Sequence, residues 1–217
     1  ASPSVTPEPV SSEFQYIMQS RFGFVGAATQ FTGNAEIDYR DARDSGAHWD
    51  RPHPGPFNWQ EIEYAPGKYD FTAADLYVKN AGNAGFSVLA TIWPFADWDQ
   101  KSCRFASCLA PEFGKLASMR CKPCDMQAYT DFLKAVVSRY SKGSYPVKYW
   151  EVMNEPAIRG RLEFFRGTAA DYAEILNASY AAIKEACPDC RVLNGGVEGA
   201  QPEFLEFFSQ ALDLGAG

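Results

Sequence analysis

The stretch Tyr149-Trp150-Glu151-Val152-Met153-Asn154-Glu155-Pro156 decides the fold class. It continues a predicted strand, Val147–Val152, that is rich in aromatic and β-branched residues. Pro156 disfavours continuation of a regular element, so the strand should end at Glu155. Barrels of parallel strands place their functional residues at the carboxyl ends of strands. Glu155 is therefore the leading candidate for a functional side chain.

Strand-like and helix-like segments alternate on both sides of this stretch. Such alternation predicts parallel strands joined by right-handed crossovers. The turn Gly26-Ala27-Ala28-Thr29-Gln30 lacks the glycine-rich phosphate turn of open nucleotide-binding sheets, which favours an α/β fold of the (β/α)8 TIM barrel type. The predicted strands are Arg21–Ala27, His48–Arg51, Phe86–Ile92, Val147–Val152 and Arg191–Asn194, and the predicted helices are Ala35–Ser45, Thr72–Ala84, one from Asp125, one from Thr168 and Pro202–Leu214.

The predicted units divide the chain into a short lead and one domain. Residues 1–12 are predicted to be a flexible Pro/Ser-rich tether, and residues 13–217 the N-terminal part of a barrel. A barrel closes with about eight strand–helix units, and this chain supplies about the first five. Five units leave unpaired strand edges. We therefore expect the chain to associate either with a missing C-terminal barrel half or with itself.

Composition excludes several classes of partner. The net charge is −7 over 217 residues, and no stretch is rich in Lys and Arg. A nucleic acid or an anionic membrane surface requires a positive footprint, so neither is expected as a partner. No apolar run has the length of a membrane span.

Six cysteines predict a disulfide framework and an oxidising compartment, because their number is even. The spacing Cys121-x-x-Cys124 leaves a structural zinc site open as the alternative. The Pro/Ser-rich start is typical of a chain from which a signal peptide has been removed, so we expect a secreted protein. The cysteines are Cys103, Cys108, Cys121, Cys124, Cys187 and Cys190, and their pairing cannot be deduced from spacing.

Two motifs give the chain a resemblance to a known group. Asn154-Glu155-Pro156 is similar to the end of the fourth strand in the clan A glycoside hydrolases, which include the retaining glycosidases of families 5 and 39. The segment 57–63 (FNWQEIE), followed by 67–71 (GKYDF), resembles the stretch after their second strand. The two motifs occur in the same order and spacing, and the resemblance covers most of the chain after the tether, as the N-terminal portion of the barrel.

The resemblance implies retaining hydrolysis of O-glycosidic bonds in a β-linked oligosaccharide or polysaccharide, without cofactor or metal. Glu155 would be the catalytic acid/base, Asn154 would bind the sugar 2-hydroxyl, and Arg51 would stabilise the nucleophile. The nucleophile of the group is a Glu at the end of strand seven, which this chain does not contain. Glu198 is the one other carboxylate placed near a strand end, at the wrong strand for the group. The alternative is a non-catalytic carbohydrate-binding barrel fragment.

Further residues are candidates for substrate binding because they lie near strand ends. For Trp93, Asp97 and Trp98, which follow the third strand, the alternative role is to pack the long loop between residues 93 and 124 onto the barrel. The candidates are Trp59, His53, Trp93, Asp97 and Trp98.

Glu151 requires a partner of its own. If strand alternation persists to Glu155, Met153 and Glu151 also face the barrel interior. A carboxylate buried there needs a cation or hydrogen-bond donors. Arg51, at the end of the second predicted strand, is the candidate.

Overall fold

The structure is a computed structural model that describes residues 20–26, 34–197 and 199–216. The predicted tether, residues 1–12, lies outside these ranges. Glu198 does as well.

In the described part of the chain, five strands form one parallel sheet, and two short strands form a separate hairpin. The five correspond to the predicted strands, with ends shifted by a few residues. In chain order the strands are β1 (Gly23–Val25), β2 (Trp49–Arg51), β3 (Glu63–Ala65), β4 (Lys68–Tyr69), β5 (Ser87–Ile92), β6 (Tyr149–Asn154) and β7 (Arg191–Gly196).

Among residues 20–26, 34–197 and 199–216, five long α-helices alternate with these strands, as predicted, and two four-residue α-helices lie in loops. Among the described residues, no helix combines the length and apolar character needed to cross a membrane. The helices are α1 (Ala35–Asp44), α2 (Trp59–Ile62), α3 (Thr72–Asn83), α4 (Asp97–Gln100), α5 (Met126–Tyr140), α6 (Ala169–Ala186) and α7 (Pro202–Asp213).

Helix starts follow from local polar residues. Asp125 precedes α5 and accepts a hydrogen bond from the Ala128 amide. At α6, Thr168 and Asp171 form a complete capping box, in which each side chain bonds the other residue's backbone amide. These caps satisfy amides that the first turn of a helix leaves without partners.

The sheet has the strand order β1-β2-β5-β6-β7. This sequential order differs from a doubly wound sheet, in which the order reverses at a switch point. Helices bury one face through residues such as Trp150 and Val152. On the other face Val25, Tyr149 and Leu193 remain 51%, 39% and 36% exposed. The fold is therefore α/β with a parallel sheet, and closure into a barrel remains a prediction.

The β3–β4 hairpin was not predicted from sequence, although it lies within the second motif. The Glu63 carboxylate organises it, accepting the Trp59 indole N–H at 2.7 Å and the Gly67 amide at 2.7 Å. Gly67 has φ +71°, a conformation that favours glycine. The two parts of the motif, Ile62-Glu63 and Gly67-Lys68-Tyr69, therefore belong to one hairpin.

The six cysteines form three disulfides: Cys103–Cys124, Cys108–Cys121 and Cys187–Cys190. The first two are nested within the loop that follows β5. The zinc interpretation of Cys121-x-x-Cys124 is wrong for this structure, because each of these sulfurs is bonded to a different cysteine. The nested bridges constrain the loop that borders the carboxyl end of the sheet.

The uncovered sheet face generates a prediction about solution behaviour. Parallel sheets are normally covered on both faces. We expect the isolated 217-residue chain to self-associate, with apparent mass rising with concentration in light scattering. A cooperative, concentration-independent monomer would contradict this expectation.

Candidate active site

Polar side chains from three neighbouring strands meet at the carboxyl end of the sheet. Arg51 ends β2, Thr91 lies near the end of β5, and Glu151 pairs with Thr91 across β5 and β6. Asn154 ends β6 and pairs with Gly196 of β7. The parallel register therefore brings together residues that are far apart in sequence.

Glu151 is the buried centre of this cluster, with 5% of its surface exposed. Its Oε2 accepts hydrogen bonds from Arg51 Nε at 2.8 Å and Thr91 Oγ1 at 2.9 Å, and Arg51 Nη2 lies 2.7 Å away. The expectation that Arg51 partners Glu151 is confirmed. Burial raises the pKa of the Glu151 carboxyl, while the Arg51 charge and the hydrogen bonds oppose that rise.

Regular alternation does not persist to the end of β6. Arg51 bonds both Glu151 and Asn154, so two residues separated by an odd number of positions face the same side. Met153 has φ 72° and breaks the alternation. The condition for Met153 and Glu151 to share a face with Glu155, an unbroken alternation, is therefore not met. Glu155 itself has φ 44°, and a non-glycine residue in this region costs about 1–3 kcal/mol.

Asn154 connects Arg51 to Glu155. Its Oδ1 accepts a hydrogen bond from Arg51 Nη2 at 2.6 Å, and its Nδ2 donates to Glu155 Oε2 at 2.8 Å. Because Arg51 can only donate, it fixes which end of the amide faces Glu155. Glu155 is partly exposed, and its backbone amide donates to the Gly196 carbonyl at 3.1 Å. The result is an oriented carboxyl group that solvent can reach.

Gly196 of β7 lies directly beside this cluster. A Cβ at Gly196 would lie 3.5 Å from Asn154 Oδ1 and 3.6 Å from Arg51 Nη2. A side chain at this position would therefore pack against the polar groups of Asn154 and Arg51. The Gly195-Gly196 pair follows the predicted strand Arg191–Asn194, but a glycine pair alone does not indicate a functional position.

His53 lies in an aromatic cage just beyond Arg51. Its ring centroid is 5.7 Å from that of Trp93, 5.4 Å from that of Phe113 and 5.6 Å from that of Phe164. Burial, and secondarily the Arg51 charge, lowers the pKa of His53 to about 4. The imidazole is therefore neutral at physiological pH.

The four other predicted sugar contacts have internal roles in the structure. Trp59 and Trp93 are fully buried, and the Trp93 indole N–H donates to the Pro54 carbonyl at 2.6 Å. The Trp98 indole donates to the Glu63 carbonyl at 2.9 Å. Asp97 accepts from Ser118 Oγ at 2.8 Å and from the Met119 amide at 2.9 Å. Trp59 and Trp93 are thus buried indoles with satisfied N–H groups, whereas Asp97 and Trp98 remain partly exposed.

Arg120 joins the cysteine-bridged loop to the segment that follows Glu155. It is 1% exposed, and its Nη2 donates to the carbonyls of Pro111 and Glu163. The Arg166 amide in turn donates to the Arg120 carbonyl at 2.7 Å. No sequence pattern marked Arg120, since a lone arginine in a loop is ordinarily solvated. Arg120 therefore links the cysteine-bridged loop to the segment around Glu163 and Arg166.

The ion pair between Arg51 and Glu151 generates a mutational prediction. Arg51→Gln leaves the buried Glu151 carboxylate uncompensated, so the free energy of unfolding should fall by about 3–5 kcal/mol. Adding Glu151→Gln should recover most of that loss, because no buried charge remains. Urea unfolding of the full-length protein measures both variants, and a double variant as unstable as Arg51→Gln alone would contradict the account.

The cage around His53 generates a pH prediction. Its folded pKa, about 4, lies below the unfolded value of about 6.5, so the unfolded chain binds more protons between these values. Stability should therefore fall by about 2 kcal/mol as pH drops from about 6.5 to about 4, and His53→Phe should remove that component. An NMR titration of the His53 ring with a midpoint near its ordinary value would refute this.

The chain is similar to known proteins in its fold, but no protein-family model and no curated protein matches it in sequence. Solved structures with a similar fold include the following three. A β-xylosidase from Caulobacter crescentus CB15 shares 20% identity with a TM-score of 0.61, over 87% of this chain and 38% of that one. A glucosidase from Croceicoccus marinus shares 18% identity with a TM-score of 0.59, over 88% and 41%.

The third structure is xylanase 10B from Thermotoga petrophila RKU-1 in complex with xylobiose. It shares 19% identity with a TM-score of 0.59, over 97% of this chain and 60% of that one. The chain thus spans less than two thirds of the length of each of these three proteins. At these identities the likeness concerns the fold alone, and that fold is an α/β arrangement found in part of glycoside hydrolase chains.

Proposed function

We propose that this chain supplies the acid/base part of a retaining glycoside hydrolase that acts on a β-linked oligosaccharide or polysaccharide. One observation carries the proposal. Glu155 presents a partly exposed carboxyl group at a strand end, held at 2.8 Å by an asparagine whose amide Arg51 orients. Fold similarity to glucosidase, xylosidase and xylanase structures supports the same class.

The proposed reaction begins with Glu155 in its protonated form. Glu155 gives its proton to the glycosidic oxygen as the bond to the anomeric carbon breaks, and a second carboxylate attacks that carbon to form a covalent glycosyl-enzyme. Glu155, now ionised, then removes a proton from water, and the resulting attack on the anomeric carbon releases the sugar and regenerates both carboxyl groups. Two displacements preserve the anomeric configuration.

The nucleophile must come from residues beyond those described. Retaining enzymes place the second carboxyl about 5–5.5 Å from the acid. Within the described part of the site, Glu151 is unsuited to attack, because it is buried and engaged by Arg51 and Thr91. The glutamate that ends strand seven in the clan A enzymes is the proposed source.

Asn154 and Arg51 have supporting roles in this proposal. The Asn154 amide lies next to the acid, where it can bond the sugar 2-hydroxyl, a contact that strengthens as the transition state forms. Arg51 lies 2.7 Å from Glu151, and its positive charge favours a nearby anionic nucleophile. His53 is proposed as a neutral wall residue of the same cleft. Three disulfides are consistent with action outside the cell.

A second candidate function is carbohydrate binding without hydrolysis. It is favoured by one observation: within the described site, the carboxylate other than Glu155 is engaged in an ion pair. Binding of cellulose, mannan or xylan without turnover of any glycoside would establish this alternative and exclude the enzyme proposal.

Glu155→Gln in the full-length protein tests the acid/base role. We expect kcat/KM for aryl β-glycosides with poor leaving groups to fall by about 10²–10⁴, because protonation of the leaving oxygen is lost. Substrates with good leaving groups should lose much less in bond cleavage, since their oxygen departs without protonation. Steady-state kinetics on the two substrate classes measures the difference.

Glu206→Gln provides the matched control. Glu206 lies on α7, where its carboxylate accepts from Gln210, so the same substitution there should leave both rates unchanged. Turnover of both substrate classes that survives Glu155→Gln undiminished would rule out the assigned role of Glu155.

A further inference from the structure

We propose that Tyr172 is a positioning residue for Glu155, its hydroxyl holding β6 and β7 together at the break where β6 departs from regular alternation. This inference rests on the proposed function of Glu155. Tyr172 lies on α6, outside the cluster at the strand ends, and does not touch the reacting groups in this assignment.

The hydroxyl lies between the two strands. It accepts a hydrogen bond from the Gly195 amide at 2.7 Å and is within 3.3 Å of the Val152 carbonyl, to which it donates. Val152 pairs with Asn194 and Asn154 pairs with Gly196, whereas Met153 and Gly195, which lie between them, do not pair. The Tyr172 hydroxyl lies at this gap in the pairing. Backbone groups buried at such an irregularity need other partners, and Tyr172 provides one for each strand.

The two strands approach each other closely at Gly195. A Cβ at Gly195 would lie 3.0 Å from the Val152 carbonyl oxygen, 3.1 Å from the Met153 carbonyl oxygen and 3.1 Å from Pro156 Cδ. Glycine at this position therefore lets β7 pass beside Met153, the residue with φ 72°. The hydroxyl and the glycine together accommodate the break.

The packing of Tyr172 makes its hydroxyl a fixed donor and acceptor. Its ring is fully buried, with centroids 6.5 Å from Phe165, 5.8 Å from Phe207 and 5.9 Å from Phe208. Burial raises the pKa of Tyr172 far above its ordinary value, so the group stays protonated.

The break determines where Glu155 points. Beyond Met153, the Glu155 amide donates to the Gly196 carbonyl at 3.1 Å, one residue after the amide that Tyr172 holds. A shift of β7 at Gly195 therefore moves the support of Glu155 and the Asn154–Gly196 pair. Small displacements of a catalytic group lower rates steeply, so a hydroxyl outside the site can control the acid.

Tyr172→Phe in the full-length protein removes only the hydroxyl. We expect kcat/KM for aryl β-glycosides with poor leaving groups to fall about 10-fold or more, and kcat/KM for good leaving groups to change less than about 3-fold, because kcat/KM reports the first step, in which Glu155 donates its proton. KM for poor leaving groups should change little. Hydrogen exchange of the Gly195 and Glu155 amides should accelerate in the variant.

Tyr129→Phe is the matched control. Tyr129 is also fully buried and its hydroxyl bonds Ser179 Oγ at 2.7 Å, so the variant loses a comparable hydrogen bond away from β6 and β7. Tyr129→Phe should preserve the ratio of the kcat/KM values for poor and good leaving groups. If Tyr172→Phe lowers kcat/KM equally for both substrate classes, or leaves both values unaltered, the positioning role is overturned.

Failure of the proposed function would be recognisable separately. If the wild-type protein hydrolyses neither substrate class, the enzyme proposal fails. Hydrogen exchange of the Gly195 and Glu155 amides then tests the structural role of Tyr172 by itself. Faster exchange of these two amides in Tyr172→Phe, but not in Tyr129→Phe, would support the role of the Tyr172 hydroxyl in fixing the ends of β6 and β7. Unchanged exchange at both amides overturns it.

Discussion

The burial of the Glu151 carboxylate is the constraint on which the strand end depends. A carboxylate in the interior requires a cation or several donors. Arg51 meets that requirement from β2, and the same guanidinium then holds the Asn154 amide at 2.6 Å. Asn154 in turn holds the Glu155 carboxyl at 2.8 Å. The orientation of the proposed acid thus follows, step by step, from one ion pair placed below it in the sheet.

This arrangement is costly for stability. A buried ion pair contributes little compared with well-packed apolar residues of the same volume, and the positive φ values of Met153 and Glu155 add about 1–3 kcal/mol each. The helix-covered face of the sheet, where Trp150 and Val152 are fully buried, offsets these costs. Two positive φ values and a buried ion pair thus lie together at the strand end, and such features often accompany function.

Regular features could be predicted from the sequence, and irregular ones could not. The five strands and the long helices follow from hydrophobic periodicity and caps, and Arg51 follows from the need to compensate Glu151. Periodicity carries no signal for the break at Met153, because tertiary contacts impose that backbone conformation. Proximity to a strand end suggested that Trp59 and Trp93 face a ligand, whereas apolar burial with satisfied indole N–H groups draws both inward. Cysteine spacing likewise could not distinguish nested bridges from local ones.

A crystal structure of the full-length Glu155→Gln protein with an uncleaved β-linked oligosaccharide would show whether position 155 acts on the glycosidic bond. We expect the scissile glycosidic oxygen within about 2.6–3.2 Å of the side chain at position 155, with the preceding sugar's 2-hydroxyl on Asn154. A second carboxylate should face the anomeric carbon from the opposite side. An oligosaccharide bound with its glycosidic oxygens away from position 155 would show that Glu155 is not the acid/base.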